Sequence, residues 1–294
     1  MIRELAPAKV NLFLHVGNRR ADGYHELESL VVFASVGDEI TLEEAGELSF
    51  AVEGPFASRL TADTDNLVLQ AVRKFCELTE TQQHVRITLT KNLPVASGIG
   101  GGSSDTAATL RGLSRLWPER ANLQALWNLG GEIGSDVAVC VLPGCWWMTG
   151  RGERFATINV LGTFDALLVN AGVPVATGIV YDALRERTGV GSAARPQQFS
   201  NVSALADYLR AVRNDLEVPA RQLFPVIGET IDAIMGTNAL LARMSGSGAT
   251  CFGIYPDAVS TQAAAEAILK QHPNWWVAPT KLNYGRKWEF NSSG

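Results

Sequence analysis

The sequence has few cysteines, fewer cationic than acidic residues, and no long apolar run. Lys and Arg together number 25 against 30 Asp and Glu, and the net charge at pH 7 is −5. A general nucleic-acid binder needs clustered Lys and Arg to neutralise phosphates, so this balance argues against one. No apolar run reaches the roughly 18 residues that span a membrane. We therefore expect neither nucleic acid nor a membrane as a partner.

The four cysteines do not form a recognisable disulfide or metal pattern. None belongs to a C-x-x-C pair or has a histidine at ligand spacing, so we expect no metal site built from these side chains. All of them lie in apolar stretches, where a free cysteine behaves as a small core residue. The N-terminus also lacks the basic, apolar and small-residue order of a signal peptide. These absences favour a reducing compartment, and we expect a cytoplasmic protein. The cysteines are Cys76, Cys140, Cys145 and Cys251.

What the sequence does contain predicts a packed α+β protein of two domains. Hydrophobic residues make up 46% of the 294, and charged residues 19%, which is typical of a globular core. The composition changes near 150–153, which predicts domains at 1–152 and 153–294. Residues 8–16 alternate and predict a strand with one buried face. Residues 137–144 also predict a strand, and 219–241 predict a helix.

Residues 94–105, PVASGIGGGSSD, form a glycine-rich segment that we call the glycine loop. A strand pattern precedes it and an amphipathic helix pattern follows it, which argues against a flexible linker. It does not match the P-loop, because no lysine follows the glycines. It does not match G-x-G-x-x-G either, because the third position falls on Ser103 or Asp105.

The chemistry of the glycine loop still favours an anion. Glycines allow positive φ and close backbone approach, so that successive N–H groups can converge on phosphate oxygens. The following helix adds unpaired N–H groups and a partial positive charge. The hydroxyls of Ser103 and Ser104 could bind phosphate, bind the water shell of Mg²⁺, or simply cap the helix. These alternatives remain open on the residues alone.

Three stretches resemble the motifs of the GHMP kinases, the superfamily that includes galactokinase and the homoserine, mevalonate and phosphomevalonate kinases. They are APAKVNLFL at 6–14, PVASGIGGGSSDTAATL at 94–110, and RMSGSGATCF at 243–252, which we call the third-motif turn. The resemblance implies an N-terminal domain like domain 2 of ribosomal protein S5 and a ferredoxin-like C-terminal domain. It also implies an ATP-dependent small-molecule kinase. The implied ATP-binding residues are Pro94, Val95, Ala96, Ser97, Gly98, Ile99, Gly100, Gly101, Gly102, Ser103 and Ser104, with Ser245, Gly246, Ser247 and Gly248 lining the same site.

The N-terminal residues AKVNLFLHVGNRRADGYHELESLVVF resemble one branch of this superfamily. Its acceptor is the tertiary hydroxyl of a methylerythritol linked to cytidine diphosphate, in the non-mevalonate route to isoprenoids. The resemblance implies that Lys9 and Asp136 are the catalytic pair. It also implies that the substrate contacts Asn11, Tyr24, His25 and Thr177. We expect Mg²⁺ to be carried mainly by the phosphates of ATP, and the chain to be a monomer or weak homodimer.

Two other interpretations remain. The chain could phosphorylate a different small alcohol, such as homoserine or mevalonate, which the adjacent Tyr24 and His25 disfavour. It could also be a catalytically silent nucleotide sensor, which the joint presence of Lys9 and Asp136 disfavours. The chain departs from the family pattern at Ala138, where a proline is usual.

Overall fold

The computed structural model describes residues 1–60, 66–158, 162–196 and 198–283. The strands of the first half are β1 (Ile2–Arg19), β2 (His25–Glu44), β3 (Ser49–Glu53), β4 (Val85–Thr90), β5 (Trp146–Gly150) and β6 (Arg154–Thr157). Its α-helices are α1 (Leu67–Thr79), α2 (Gly101–Leu116), α3 (Leu123–Ile133) and α4 (Ser135–Val141). The second half contains strands β7 (Phe164–Asn170), β8 (Leu241–Met244), β9 (Cys251–Ile254) and β10 (Trp276–Leu282). Its helices are α5 (Thr177–Ala183), α6 (Val202–Arg210), α7 (Glu217–Leu223), α8 (Val226–Met235) and α9 (Ala258–Gln271).

The long antiparallel pair of β1 and β2 organises the first half. β2 also pairs with β4 and β5, and β3 lies parallel to β4. The prediction that β1 has one buried face is wrong, because Lys9, Asn11, Phe13 and His15 are buried as well. Both faces are covered because residues of β1 contribute to two hydrophobic clusters, one of which also contains Phe252 and other residues of the second half.

The second half has the topology of a ferredoxin-like domain, as expected. Its strands follow the sequence β-α-β-β-α-β, with several helices in the first α position. They pair antiparallel in the order β10-β7-β9-β8. In the described part of the chain, one bridge, between Leu282 and Ala34, joins this sheet to the first one. The two halves therefore meet along β2 and β10.

Two predicted elements differ from the structure. Residues 135–141 form helix α4 rather than a strand. Its Val137–Val141 stretch is buried on every side, so the sequence carries no period that would separate a short helix from a strand. The predicted helix over 219–241 is divided into α7 and α8, with Pro225 at the break, and its last residue begins β8. A proline lacks the N–H that would continue the first helix.

The predicted domain boundary at 152/153 stays a prediction. The strands on its two sides, β5 and β6, pair with each other in the first sheet. Among the described residues, no helix is long and apolar enough to span a membrane.

The close packing of β1 on β2 generates a stability prediction at Gly37. A Cβ added there would lie 2.3 Å from the carbonyl oxygen of Ala6 and 2.8 Å from the Cα of Pro7. Backbone atoms cannot move aside cheaply, so we expect Gly37→Ala to lower the free energy of unfolding by about 1–3 kcal/mol. Chemical denaturation measures this change. The control is Gly46→Ala, where a Cβ meets nothing within 4 Å; equal stability of the two variants would contradict the packing argument.

Candidate active site

A cleft of about 1370 Å³ collects most of the residues that the sequence singles out. It is lined by the glycine loop, by β1 and the turn that follows it, by the start of α4, and by α5. The predicted residues that line it are Lys9, Asn11, Tyr24, His25, Pro94, Val95, Ala96, Ser97, Gly98, Gly100, Gly101, Gly102, Ser103, Asp136, Thr177, Gly246 and Ser247. The three motif stretches, at 6–14, 94–110 and 243–252, therefore contribute to one site together with Asp136 and Thr177.

Four predicted residues lie behind the cleft and are not among those that line it. Ile99 belongs to the core. Ser104 is fully buried and donates its hydroxyl to the Pro7 carbonyl at 2.8 Å, so it holds α2 against β1 instead of facing phosphate or a Mg²⁺ water shell. Ser245 accepts from the Asn11 N–H at 3.1 Å. Gly248 lies within the third-motif turn, where an added Cβ would lie 2.7 Å from Sδ of Met244.

The shape of the glycine loop requires left-handed backbone at several positions. Ala96, Gly98 and Gly100 have φ of 53°, 75° and 63°, and α2 starts at the next residue. A Cβ on Gly98 would lie 2.6 Å from the Ser245 carbonyl oxygen. Glycine is therefore needed here both for its conformation and because the third-motif turn approaches so closely.

Backbone hydrogen bonds hold the glycine loop in place from both halves of the chain. Lys9 donates its N–H to the Ile99 carbonyl at 2.9 Å, Thr250 to that of Ser97 at 2.9 Å, and Val175 to that of Ala96 at 3.2 Å. These bonds occupy carbonyls of the loop. The N–H groups at the start of α2 lack partners within the helix and form the kind of site that binds phosphate.

Lys9 and Asp136 form an ion pair in the cleft. The Lys9 ammonium lies 2.7 Å from Oδ2 of Asp136, and the side chains are 6% and 42% exposed, respectively. The aliphatic part of Lys9 packs beside Gly100, where an added Cβ would lie 3.2 Å from Lys9 Cε. Asp136 stands in the first turn of α4. The pair thus places a cation against the glycine loop and leaves a carboxylate open to the cleft.

A second, fully buried charge cluster borders the glycine loop, and sequence reasoning missed it. Lys91 forms ion pairs with Asp38 and, at 2.7 Å, with Asp105. Oδ1 of Asp38 also accepts the backbone N–H groups of Asn92 and Leu93 at 2.6 and 2.8 Å. The cluster ties the end of β4 to β2 and to the first turns of α2, and it thereby fixes both ends of the loop.

The two carboxyls of this cluster have unequal surroundings. Asp38 accepts hydrogen bonds on both oxygens, whereas Oδ1 of Asp105 is buried without a partner. Burial raises the pKa of the Asp105 carboxyl well above its usual range, and the ammonium of Lys91 opposes this shift only in part. A single lysine thus faces one carboxyl group whose two oxygens both accept hydrogen bonds and one that favours its neutral form.

Aromatic side chains gather at the end of the cleft that contains Tyr24 and His25. The His25 ring stacks on Tyr181, with centroids 5.4 Å apart and an angle of 25° between planes. Tyr24 is 55% exposed, and the Arg151 guanidinium lies 5.3 Å from its ring centroid. Tyr181 lies on α5, four residues after Thr177, so one helical turn brings both toward the cleft.

The site residues that sequence reasoning missed, Tyr181, Lys91 and Asp38, differ in how strongly the sequence indicates them. Tyr181 follows Thr177 at helical spacing, and that spacing could have identified it. Lys91 and Asp38 are 53 residues apart, and only the pairing of β2 with β4 brings them together. Nothing local in the sequence indicates that contact.

The sequence and the fold of the chain match those of known proteins over most of its length. Residues 66–144 match the model of the GHMP kinases N terminal domain, and residues 192–277 match that of the GHMP kinases C terminal domain. A 4-diphosphocytidyl-2-C-methyl-D-erythritol kinase from Parvibaculum lavamentivorans is 46% identical over 282 residues, covering 94% of this chain and 96% of the relative. The chain belongs to the GHMP kinases, in the 4-diphosphocytidyl-2-C-methyl-D-erythritol kinase family. The resemblance seen in the sequence is confirmed.

Solved GHMP kinases confirm the expected two-domain α+β architecture. A crystal structure of 4-(cytidine 5'-diphospho)-2C-methyl-D-erythritol kinase matches with a TM-score of 0.77 and 32% identity, covering 97% of this chain and all of the other. Homoserine kinase from Cytophaga hutchinsonii matches with a TM-score of 0.75 but only 18% identity, covering 97% and 94%. The second likeness concerns the fold alone.

The raised pKa of Asp105 generates a pH prediction. The folded state holds this proton more tightly than the unfolded chain, whose aspartates titrate near 3.8. The contribution of Asp105 to the free energy of unfolding should therefore fall as the pH rises above that value. Asp105→Asn cannot titrate, so its stability relative to the parent chain should improve steadily with rising pH.

Urea denaturation at several pH values measures this difference. Asp207→Asn is the control, because Asp207 is an exposed aspartate on α6 with its side chain 73% accessible. A constant offset between Asp105→Asn and the parent chain at every pH would show that Asp105 titrates normally, contrary to the prediction.

Proposed function

We propose that the chain transfers the γ-phosphoryl group of ATP to the 2-hydroxyl of 4-diphosphocytidyl-2-C-methyl-D-erythritol, which we call the cytidylyl substrate. The products are its 2-phosphate and ADP, in the non-mevalonate route to isoprenoid precursors. The observation that carries this proposal is the Lys9–Asp136 pair, which lies in one cleft with the glycine loop and with the aromatic end. Family membership at 46% identity supports the choice of acceptor.

The proposed transfer needs positioning and charge more than covalent chemistry from the protein. The 2-hydroxyl oxygen forms a bond to the γ-phosphorus while the bond between that phosphorus and the β–γ bridging oxygen breaks. Asp136 accepts or orients the hydroxyl proton. Lys9 holds Asp136 in place through their ion pair and offsets the charge that develops on the transferring group. The N–H groups of the glycine loop and of the start of α2 hold the phosphates.

The end of the cleft that contains Tyr24, His25 and Tyr181 suits a nucleobase. Tyr24 and Tyr181 offer ring faces for stacking on cytosine. His25 begins β2 and its ring packs on Tyr181 of α5, where its ring or backbone can bond the base edge. Asn11 and Thr177 are proposed to contact the erythritol or diphosphate part. Thr177 is held by a hydrogen bond of 2.9 Å between its hydroxyl and that of Ser247.

The remaining parts of the proposal concern Mg²⁺, location and assembly. Among the described residues, no three His, Cys, Asp or Glu side chains lie where they could share a metal ion. Mg²⁺ is proposed to be carried mainly by the phosphates of ATP. The cytoplasmic location and the monomeric or weakly dimeric state stay predictions.

The catalytic pair can be tested by truncation. We expect Lys9→Ala and Asp136→Ala each to lower kcat for the cytidylyl substrate by about 10²–10⁴-fold, because each removes charge or proton transfer at the reacting oxygen. ATP should still bind, as measured by calorimetry. Lys74→Ala is the control, since it removes an exposed ion pair with Glu132 at 3.2 Å. Full activity in either test variant would remove that residue from the mechanism.

The acceptor can be tested with a substrate panel. We expect ADP release with the cytidylyl substrate and none above background with homoserine or mevalonate. Tyr24→Ala should raise the KM for the cytidylyl substrate by about tenfold or more, because base stacking contributes about 1–3 kcal/mol. Tyr24→Phe keeps the ring and should change the KM little. Turnover of homoserine or mevalonate without the cytidylyl substrate would overturn the proposed function.

A further inference from the structure

Asp215 accepts four hydrogen bonds from three separate parts of the chain and is not one of the proposed catalytic residues. Oδ2 accepts the backbone N–H groups of Val16 at 2.8 Å and Thr188 at 2.9 Å. Oδ1 accepts from the Thr188 hydroxyl at 2.5 Å and from Nε of Arg213 at 2.7 Å. Its side chain has no exposed surface. A carboxylate so fully occupied fixes the relative positions of its partners.

The partners of Asp215 belong to opposite sides of the cleft. Val16 lies in β1, close to the turn that carries Tyr24 and His25. Thr188 lies five residues beyond the end of α5. A backbone hydrogen bond also joins these two segments, since Gly189 donates its N–H to the Val16 carbonyl at 3.3 Å.

The stretch from α5 to Thr188, residues 177–188, forms one side of the cleft and is called here the substrate wall. Thr177, Tyr181, Arg185 and Arg187 all line the cleft from it. Its first end is attached to the ATP side through the hydrogen bond between the hydroxyls of Thr177 and Ser247. Its second end is attached to β1 through Asp215.

We propose that Asp215 is a positioning residue that fixes the substrate wall opposite Tyr24 and His25, and so sets the affinity for the cytidylyl substrate without affecting ATP. This inference rests on the proposed function. It follows from the two attachments of the wall. Weakening the bonds to Asp215 loosens the end that carries Arg185 and Arg187, where the backbone bond from Gly189 to Val16 remains, while the attachment to the third-motif turn is unchanged. Loss of a defined geometry on one side of a site weakens only the ligand that touches that side.

Asp215→Asn is a selective test, because asparagine has nearly the same shape but one acceptor oxygen. Each oxygen of Asp215 accepts two donors. Whichever way the amide is oriented, its NH₂ group meets at least one N–H donor from which it cannot accept. The substitution therefore breaks at least one hydrogen bond and weakens the others by removing the negative charge, without leaving a large cavity.

We expect Asp215→Asn to raise the KM for the cytidylyl substrate by about tenfold or more while the KM for ATP changes by less than about twofold. Thr188→Val removes one of the four bonds and should shift the same KM in the same direction by a smaller factor. The double variant should show less than the product of the two effects, since both substitutions remove a shared interaction. Asp257→Asn, at the N-cap of α9, is the matched control and should leave both KM values unchanged.

Amide hydrogen exchange on the free protein provides a readout that does not depend on the reaction. The Thr188 and Gly189 amides should exchange faster in Asp215→Asn, while the Val175 amide, which bonds the glycine loop, should not change. If the parent chain does not phosphorylate the cytidylyl substrate, the proposed function fails, and the exchange data still test the attachment. Equal shifts in both KM values, unchanged KM values, or unchanged exchange at Thr188 would overturn the role of Asp215. Should Asp215→Asn fail to fold, the same criteria apply to Thr188→Val.

Discussion

The structure depends on the close approach of two glycine turns that come from opposite halves of the chain. A Cβ on Gly98 would lie 2.6 Å from the Ser245 carbonyl oxygen, and one on Gly246 would lie 2.7 Å from that of Gly98. Neither glycine could therefore carry a side chain without displacing the backbone of the other turn. Ser245 adds a hydrogen bond to the Asn11 N–H, so that β1 is fixed relative to both turns. The geometry of the glycine loop is thus a product of the whole fold, although its sequence is local.

Charge in the cleft is arranged before any substrate is present. Lys9 lies against Asp136, and Lys91 lies between Asp38 and Asp105. Each lysine is held by carboxylates on other elements, so its position does not have to be created when phosphate arrives. Such preorganisation is the main way in which proteins stabilise charge that develops during phosphoryl transfer. The exposed side of Asp136 is the part of this arrangement that remains available to an acceptor.

Local pattern was enough to predict the glycine loop between a strand and a helix, the strand that carries Lys9, and the family. It was not enough where burial removes the pattern, as in α4, whose apolar residues are covered on all sides. It also failed where contacts span long stretches of chain. The partners of Lys91 and Asp215 are found only once the sheet register and the path of residues 184–192 are known. The motifs therefore indicated the residues that carry the chemistry, but they did not indicate the residues that hold those side chains in place.

The most direct test of the central claim is the position of the new phosphate, read by ³¹P NMR of the product without proton decoupling. The 2-hydroxyl is on a tertiary carbon that bears no hydrogen. Transfer to it should give a phosphomonoester signal without splitting from a carbon-bound proton across the P–O–C linkage. A doublet would place the phosphate on the secondary hydroxyl and a triplet on a primary one. Either pattern would contradict the account.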